Sequence, residues 1–120
     1  MRVRSARLAL LFAAAAIATS CADPNPRISV SAEQIPRHWK VDVRGAGFTP
    51  KHNVSSHLQR SDGSEFPVLP ILTDSRGELS HTIDTMILEL GPHELWIVDD
   101  ASGRTSNRVR FEVTFDYPAS

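Results

Sequence analysis

Trp39-Lys40-Val41-Asp42-Val43-Arg44-Gly45-Ala46-Gly47-Phe48-Thr49-Pro50 decides the fold. The first six residues alternate apolar and charged side chains, with Trp39, Val41 and Val43 set against Lys40, Asp42 and Arg44. That is the period of a strand with one buried face. The next six break the strand with two glycines and a proline and put Phe48 where it can close one end of a core. A strand running into a corner, with no helical spacing on either side, predicts an all-β chain.

Working outward, the same alternation recurs in short pieces. Val54, Ser56 and Leu58 alternate with Ser55, His57 and Gln59. Asp62-Gly63 follows, a dipeptide that favours a tight hairpin between two extended runs. The partner run, residues 65–72, carries Pro67 and Pro70, which cannot donate to a ladder, so it predicts an edge strand or a wandering connection. Beyond a turn at 73–77, Leu79, His81 and Ile83 alternate with Ser80, Thr82 and Asp84. Residues 85–90 suit a single helical turn or a loop over the core. The last two strands cover residues 93–99, with the run LWIV, and 108–115, where Val109, Phe111, Val113 and Phe115 oppose Arg108, Arg110, Glu112 and Thr114. Upstream, Ile28-Ser29-Val30 reads as a first strand and residues 32–37, with Pro36, as a connection. About seven short strands with turn signals between them, and no amphipathic helix, predict an immunoglobulin-like β-sandwich.

The N-terminus follows different rules. Arg2, Arg4 and Arg7 precede the apolar residues 8–18, and small residues follow. Eleven apolar residues are too few to cross a bilayer core, which takes about 20, so this segment reads as a secretory signal peptide. Cys21 is the single cysteine, which excludes an intrachain disulfide and leaves a lone thiol that calls for an explanation in an exported protein.

Two family resemblances add to this reading. Ala18-Thr19-Ser20-Cys21 resembles the lipobox of bacterial lipoproteins, although Ala18 stands where that family prefers Leu and Ile17 lies one place earlier. The resemblance implies lipidation of Cys21, and two or more acyl chains suffice for stable anchoring. Ala22, in place of Asp, resembles the outer-membrane-sorted pattern of Gram-negative lipoproteins. The expected organisation is a signal peptide at 1–20, a lipidated N-terminus and tether at 21–26, and a sandwich at 27–117, exported and lipid-anchored in the bacterial cell envelope. VRGAGFTP (43–50), TDSRGELSHTI (73–83), LGPHELWIVDDASG (90–103) and SNRVRFEV (106–113) resemble bacterial immunoglobulin-like and IPT-type domains in their order. Where such domains often place an aromatic residue, this chain has His93.

Charge and motifs narrow the chemistry. From Cys21 onward ten basic residues face fourteen acidic ones, a net charge of −4 with histidine neutral. That balance disfavours nucleic acid, which asks for a clustered positive face. His93-Glu94-Leu95-Trp96-Ile97 begins like a zinc-protease helix, but Ile97 stands where the second histidine is required. Asp99 and Asp100 lack the ordered oxygen ligands of a calcium loop. Trp39 and Trp96 suit either a sugar-stacking platform or the core. Neither a nucleophile elbow nor a phosphate-binding glycine loop is present. The expectation is therefore a non-enzymatic module, without a cofactor, that offers a protein partner its loops or a strand edge. The surfaces favoured are Asp62-Gly63, Asp99-Asp100 and the edge at Pro67 and Pro70. The alternative is a periplasmic metal-binding protein using His81 and His93, with His57.

Overall fold

Eight strands and one short 3-10 turn make up the computed structural model, which describes residues 25–115. The predicted signal peptide, Cys21 and the start of the tether lie outside the described residues. The strands are β1 (Arg27–Val30), β2 (Gln34–Pro36), β3 (Lys40–Ala46), β4 (Asn53–Gln59), β5 (Leu69–Leu72), β6 (Leu79–Asp84), β7 (Gly91–Asp99) and β8 (Val109–Thr114). They form two sheets, one in the order β1-β3-β6 and one in the order β2-β8-β7-β4-β5. With Ile28, Val41, Val43, Ile83, Leu95, Ile97, Phe111 and Val113 all buried in one cluster between the sheets, this is the immunoglobulin-like sandwich that the alternation predicted.

One strand was not expected. Residues 32–37 contain β2, which pairs in parallel with β8 through Gln34↔Glu112, Ile35↔Val113 and Pro36↔Thr114. Pro36 is tolerated because β2 is an edge strand, where a missing N–H faces solvent. Ile35, only 3% exposed, fixes the strand to the core.

The two ends of the sandwich differ in composition. At the proximal end, where the chain enters β1, the corner at residues 46–50 packs on the turn before β6. Phe48 is buried there and donates its N–H to Gly77 O. Gly77 has φ +75°, and a Cβ would stand 2.0 Å from Phe48 O, so no other residue fits. The distal end holds the Asp62-Gly63 turn, residues 85–90 and the start of β3. Two expected core positions are instead exposed at this end. Trp39 is 62% exposed and Phe115 63% exposed, and both lie past the ends of the paired strands. Residues 85–90, expected as a single helical turn or a loop over the core, combine the two: a 3-10 helix at Thr85–Ile87, capped by the Asp84 carboxylate, which accepts from Met86 N, is followed by the buried Leu88.

Candidate docking cleft on the open flank

β5 and β6 are the outer strands of their respective sheets on one flank of the sandwich. Between them lies a cleft of about 270 Å³ lined mainly by Leu58, Phe66, Leu69, Ile83 and Ile87, with His81 at its wall. The polar groups at its margin are Ser56, Thr82 and Asp84. The apolar character continues outside it. Val68, Leu69 and Leu72 are 49%, 46% and 67% exposed, and Met86 and Ile87 in the 3-10 turn are 50% and 70% exposed. Most of the large exposed apolar side chains of the described residues therefore follow one flank. Contiguous apolar surface of this kind marks interaction sites on soluble domains.

The local sequence explains why the flank stays open. Phe66-Pro67-Val68-Leu69-Pro70-Ile71-Leu72 is apolar without alternation, so it cannot hide both faces, and two prolines limit its ladder to four residues. Phe66 N donates to Leu58 O, but the pairing of Ser56 with Leu69 is out of step with that bond, so the strand bulges at Pro67 and Val68. Arg60 covers the far side of Phe66 with its guanidinium 3.7 Å from the ring centroid and approaches Glu89 at 3.5 Å.

The three predicted histidines do not share one face. His81 and His93 point inward from opposite sheets, while His57 lies on the outer face of its sheet, stacked on Trp96 at 5.3 Å and bonded to Glu65. Among the described residues no group of three or more His, Cys, Asp or Glu is placed to hold a metal ion. His93 packs as an aromatic ring within the core. It is 2% exposed and stacks on Phe111 at 5.6 Å and Phe66 at 6.3 Å, with Nδ1 donating to Gly91 O and Nε2 buried without a partner. Burial lowers its pKa, against the opposing pull of the Gly91 carbonyl, and burial alone lowers that of His81.

The predicted turn acids lie at opposite ends and are engaged within the fold. Asp62 accepts from Ser64 Oγ at 2.6 Å and Ser64 N at 2.9 Å, bonds that lower its pKa and close the turn in which Gly63 takes φ +92°. Asp99 is 2% exposed and accepts from Thr49 N and Thr49 Oγ1, both at 2.8 Å, and from Ala101 N at 3.1 Å. Burial pushes its pKa up, yet the bonds from Thr49, Ala101 and Ser102 outweigh that and leave it below the ordinary carboxylate value. Asp100 is exposed and takes one bond from Ser55 Oγ. Of the tryptophans, Trp96 is 8% exposed beneath the Arg108 guanidinium, itself tied to Glu94, and so offers no stacking face beside Trp39.

Pro67 and His81 of this lining were expected site residues, but Leu58, Phe66, Ile83 and Ile87 were not, because they come from separate elements. The one available signal was the unbroken apolar run from Phe66 to Leu72.

No family model matches this sequence, and no curated protein matches it. Among solved structures it is similar to macromomycin, at 13% identity and a TM-score of 0.48, over 75% of this chain and 98% of that one. It is also similar to the CARDB domain of a Pyrococcus furiosus protein solved in complex with di-metal ions, at 9% identity and a TM-score of 0.46, over 77% of this chain and 88% of that one. Likeness at this level transfers neither ligand nor activity.

Proposed function

We propose that this protein is a non-enzymatic, lipid-anchored binding module of the bacterial cell envelope, held by acyl chains on Cys21 and docking a protein partner on the flank between β5 and β6. The observation that carries the docking reading is the apolar cleft continuous with exposed Val68, Leu69 and Ile87. The polar groups most suited to chemistry hold the fold instead: Asp62 and Asp99 tie turns, and His93 packs between phenyl rings. Anchoring rests on the lipobox resemblance and the single cysteine.

A photo-crosslinking residue at Leu69 in the full chain, expressed in cells, tests the docking surface. A discrete adduct is expected, with none when the residue replaces Ser29 on β1, at the opposite edge of its sheet. Equal labelling at both positions sinks the reading. For the anchor, Cys21→Ser is expected to move the protein from the membrane to the soluble fraction, and a variant that still pellets with membranes refutes lipidation.

A further inference from the structure

The two edges of the open flank differ in what their backbones offer. In β3, Asp42 serves β1: its carbonyl accepts from Ser31 N and its N–H donates to Ser31 Oγ. Alternate residues of an antiparallel strand turn their backbone groups to opposite sides, so Val41, Val43 and Gly45 serve β6. Their partners there are Ile83, His81 and Leu79. The bond from Thr85 N to Trp39 O continues the same phase. The N–H and C=O groups of Ser80 and Thr82 therefore point away from β3, toward the open flank, and both residues are exposed. β6 has no proline, no lysine and no bulge to blunt this edge, the devices by which sheets usually protect one. β5 is blunted. Thr73 N donates to His52 O, and the alternation from that pair turns the nitrogen of Pro70 outward, where it has no hydrogen to give.

The side chains beside that edge alternate as well. Leu79, His81 and Ile83 face the interior, and the cleft lies next to His81 and Ile83. On the outer side the strand carries Ser80, Thr82 and Asp84, with Glu78 just before it, so two carboxylates and no base line this edge. On the neighbouring strand Lys40 and Arg44 are in register with Asp84 and Ser80, but among the described residues neither Glu78 nor Asp84 forms an ion pair. An unpaired edge, a cleft at alternate positions and an edge strand whose own outward charges are acidic together select one kind of occupant.

Resting on the docking reading above, we propose that β6 accepts an extended segment of a partner protein as a fourth strand of the β1-β3-β6 sheet. That segment alternates apolar side chains, which enter the cleft, with basic side chains, which face outward beside Glu78 and Asp84. The occupied sheet would have the four strands of a constant-type immunoglobulin sandwich.

The test uses the full chain in phosphatidylcholine nanodiscs and nine-residue peptides in which Lys alternates with Val and Leu. The controls are the same residues in non-alternating order and the alternating peptide with N-methylated backbone on its hydrogen-bonding side. The alternating peptide is expected to bind and to protect the amides of Ser80 and Thr82 from hydrogen exchange. N-methylation is expected to weaken it at least tenfold, as is Thr82→Pro, which removes a donor that β3 does not use. The N-methylated peptide keeps the outcome readable even if Thr82→Pro unfolds the chain. Binding no better than that of the non-alternating peptide overturns the proposal. Binding that ignores N-methylation but is lost in Ile87→Asp overturns strand addition and leaves the cleft as a docking site. A failure of both the peptide and the Leu69 crosslink removes both readings.

Discussion

Replacing Asp99 with alanine should separate a structural carboxylate from a ligand-binding one. The side chain joins the β3–β4 corner to the β7–β8 turn through two bonds from Thr49, while bonds from Ala101 and Ser102 hold it within its own turn. Hydrogen bonds to a charged group contribute about 1.5–3 kcal/mol each, and they are not additive. Alanine leaves the half-buried Thr49 amide without its acceptor, while the exposed Ala101 amide finds water. The Thr49 hydroxyl rotates to another partner. The expected loss is therefore roughly 2–4 kcal/mol, a large part of the about 5–14 kcal/mol available to a domain of this size. Urea unfolding followed by the fluorescence of Trp96 reports it, since that indole is buried and becomes wet on unfolding. Asp99→Asn keeps one acceptor and should lose about half as much, whereas Asp100→Ala, with one exposed bond, should stay within about 0.5 kcal/mol. A loss below 1 kcal/mol for Asp99→Ala would show that the two loops are held together by something else.

Phe111, 1% exposed at the centre of the core, should cost about 3–5 kcal/mol as alanine in the same melts, and a loss under 1 kcal/mol would show that its ring is not packed as described. Gly77→Ala should destabilise by at least about 2 kcal/mol, because a positive φ and a backbone clash with Phe48 combine. Gly103→Ala, with φ +76° and open space around it, should cost about 1 kcal/mol, and equal losses at the two glycines would refute the clash. Both His81 and His93 have pKa values lowered from 6.5 by burial, so the unfolded chain takes up protons first as the solution is acidified. Stability should be full above about pH 6.5 and fall below it, before the window under about 3.8 in which Asp99 protonates. His93→Phe should flatten the upper limb of that profile, and an unchanged slope in stability against pH between 6.5 and 5 would assign the limb to another group.

The fold was readable where one face of a strand meets one core. Val41 and Val43, Leu79 and Ile83, and Phe111 and Val113 each alternate with polar neighbours and lie buried as expected. The reading failed at strand ends, where period two continues in sequence after the strand pairing has stopped, as at Trp39 and Phe115. It also failed at β2, where Pro36 signalled a break in a strand that needs only three residues and one edge. The cleft was not readable, since Leu58, Phe66, Ile83 and Ile87 come from separate elements and only the sheet order sets them side by side. Pro67 and Pro70 mark the β5 side of that flank in the sequence, whereas the outward phase of the β6 backbone follows from the bonds of β3 to Ser31.

The division of the leading segment between β1 in one sheet and β2 in the other has a mechanical meaning. The chain enters at the proximal end and leaves β8 at the distal end, while β2 and β8 run in the same direction. Tension between the two termini loads β1 against β3 first and, once β1 gives way, draws β2 and β8 past each other along their length. The bonds from Glu112 N to Glu33 O and from Arg37 N to Thr114 O bear that load together instead of unzipping in turn. A domain tethered at one terminus and pulled from the other would yield abruptly, at a threshold force, rather than by gradual fraying.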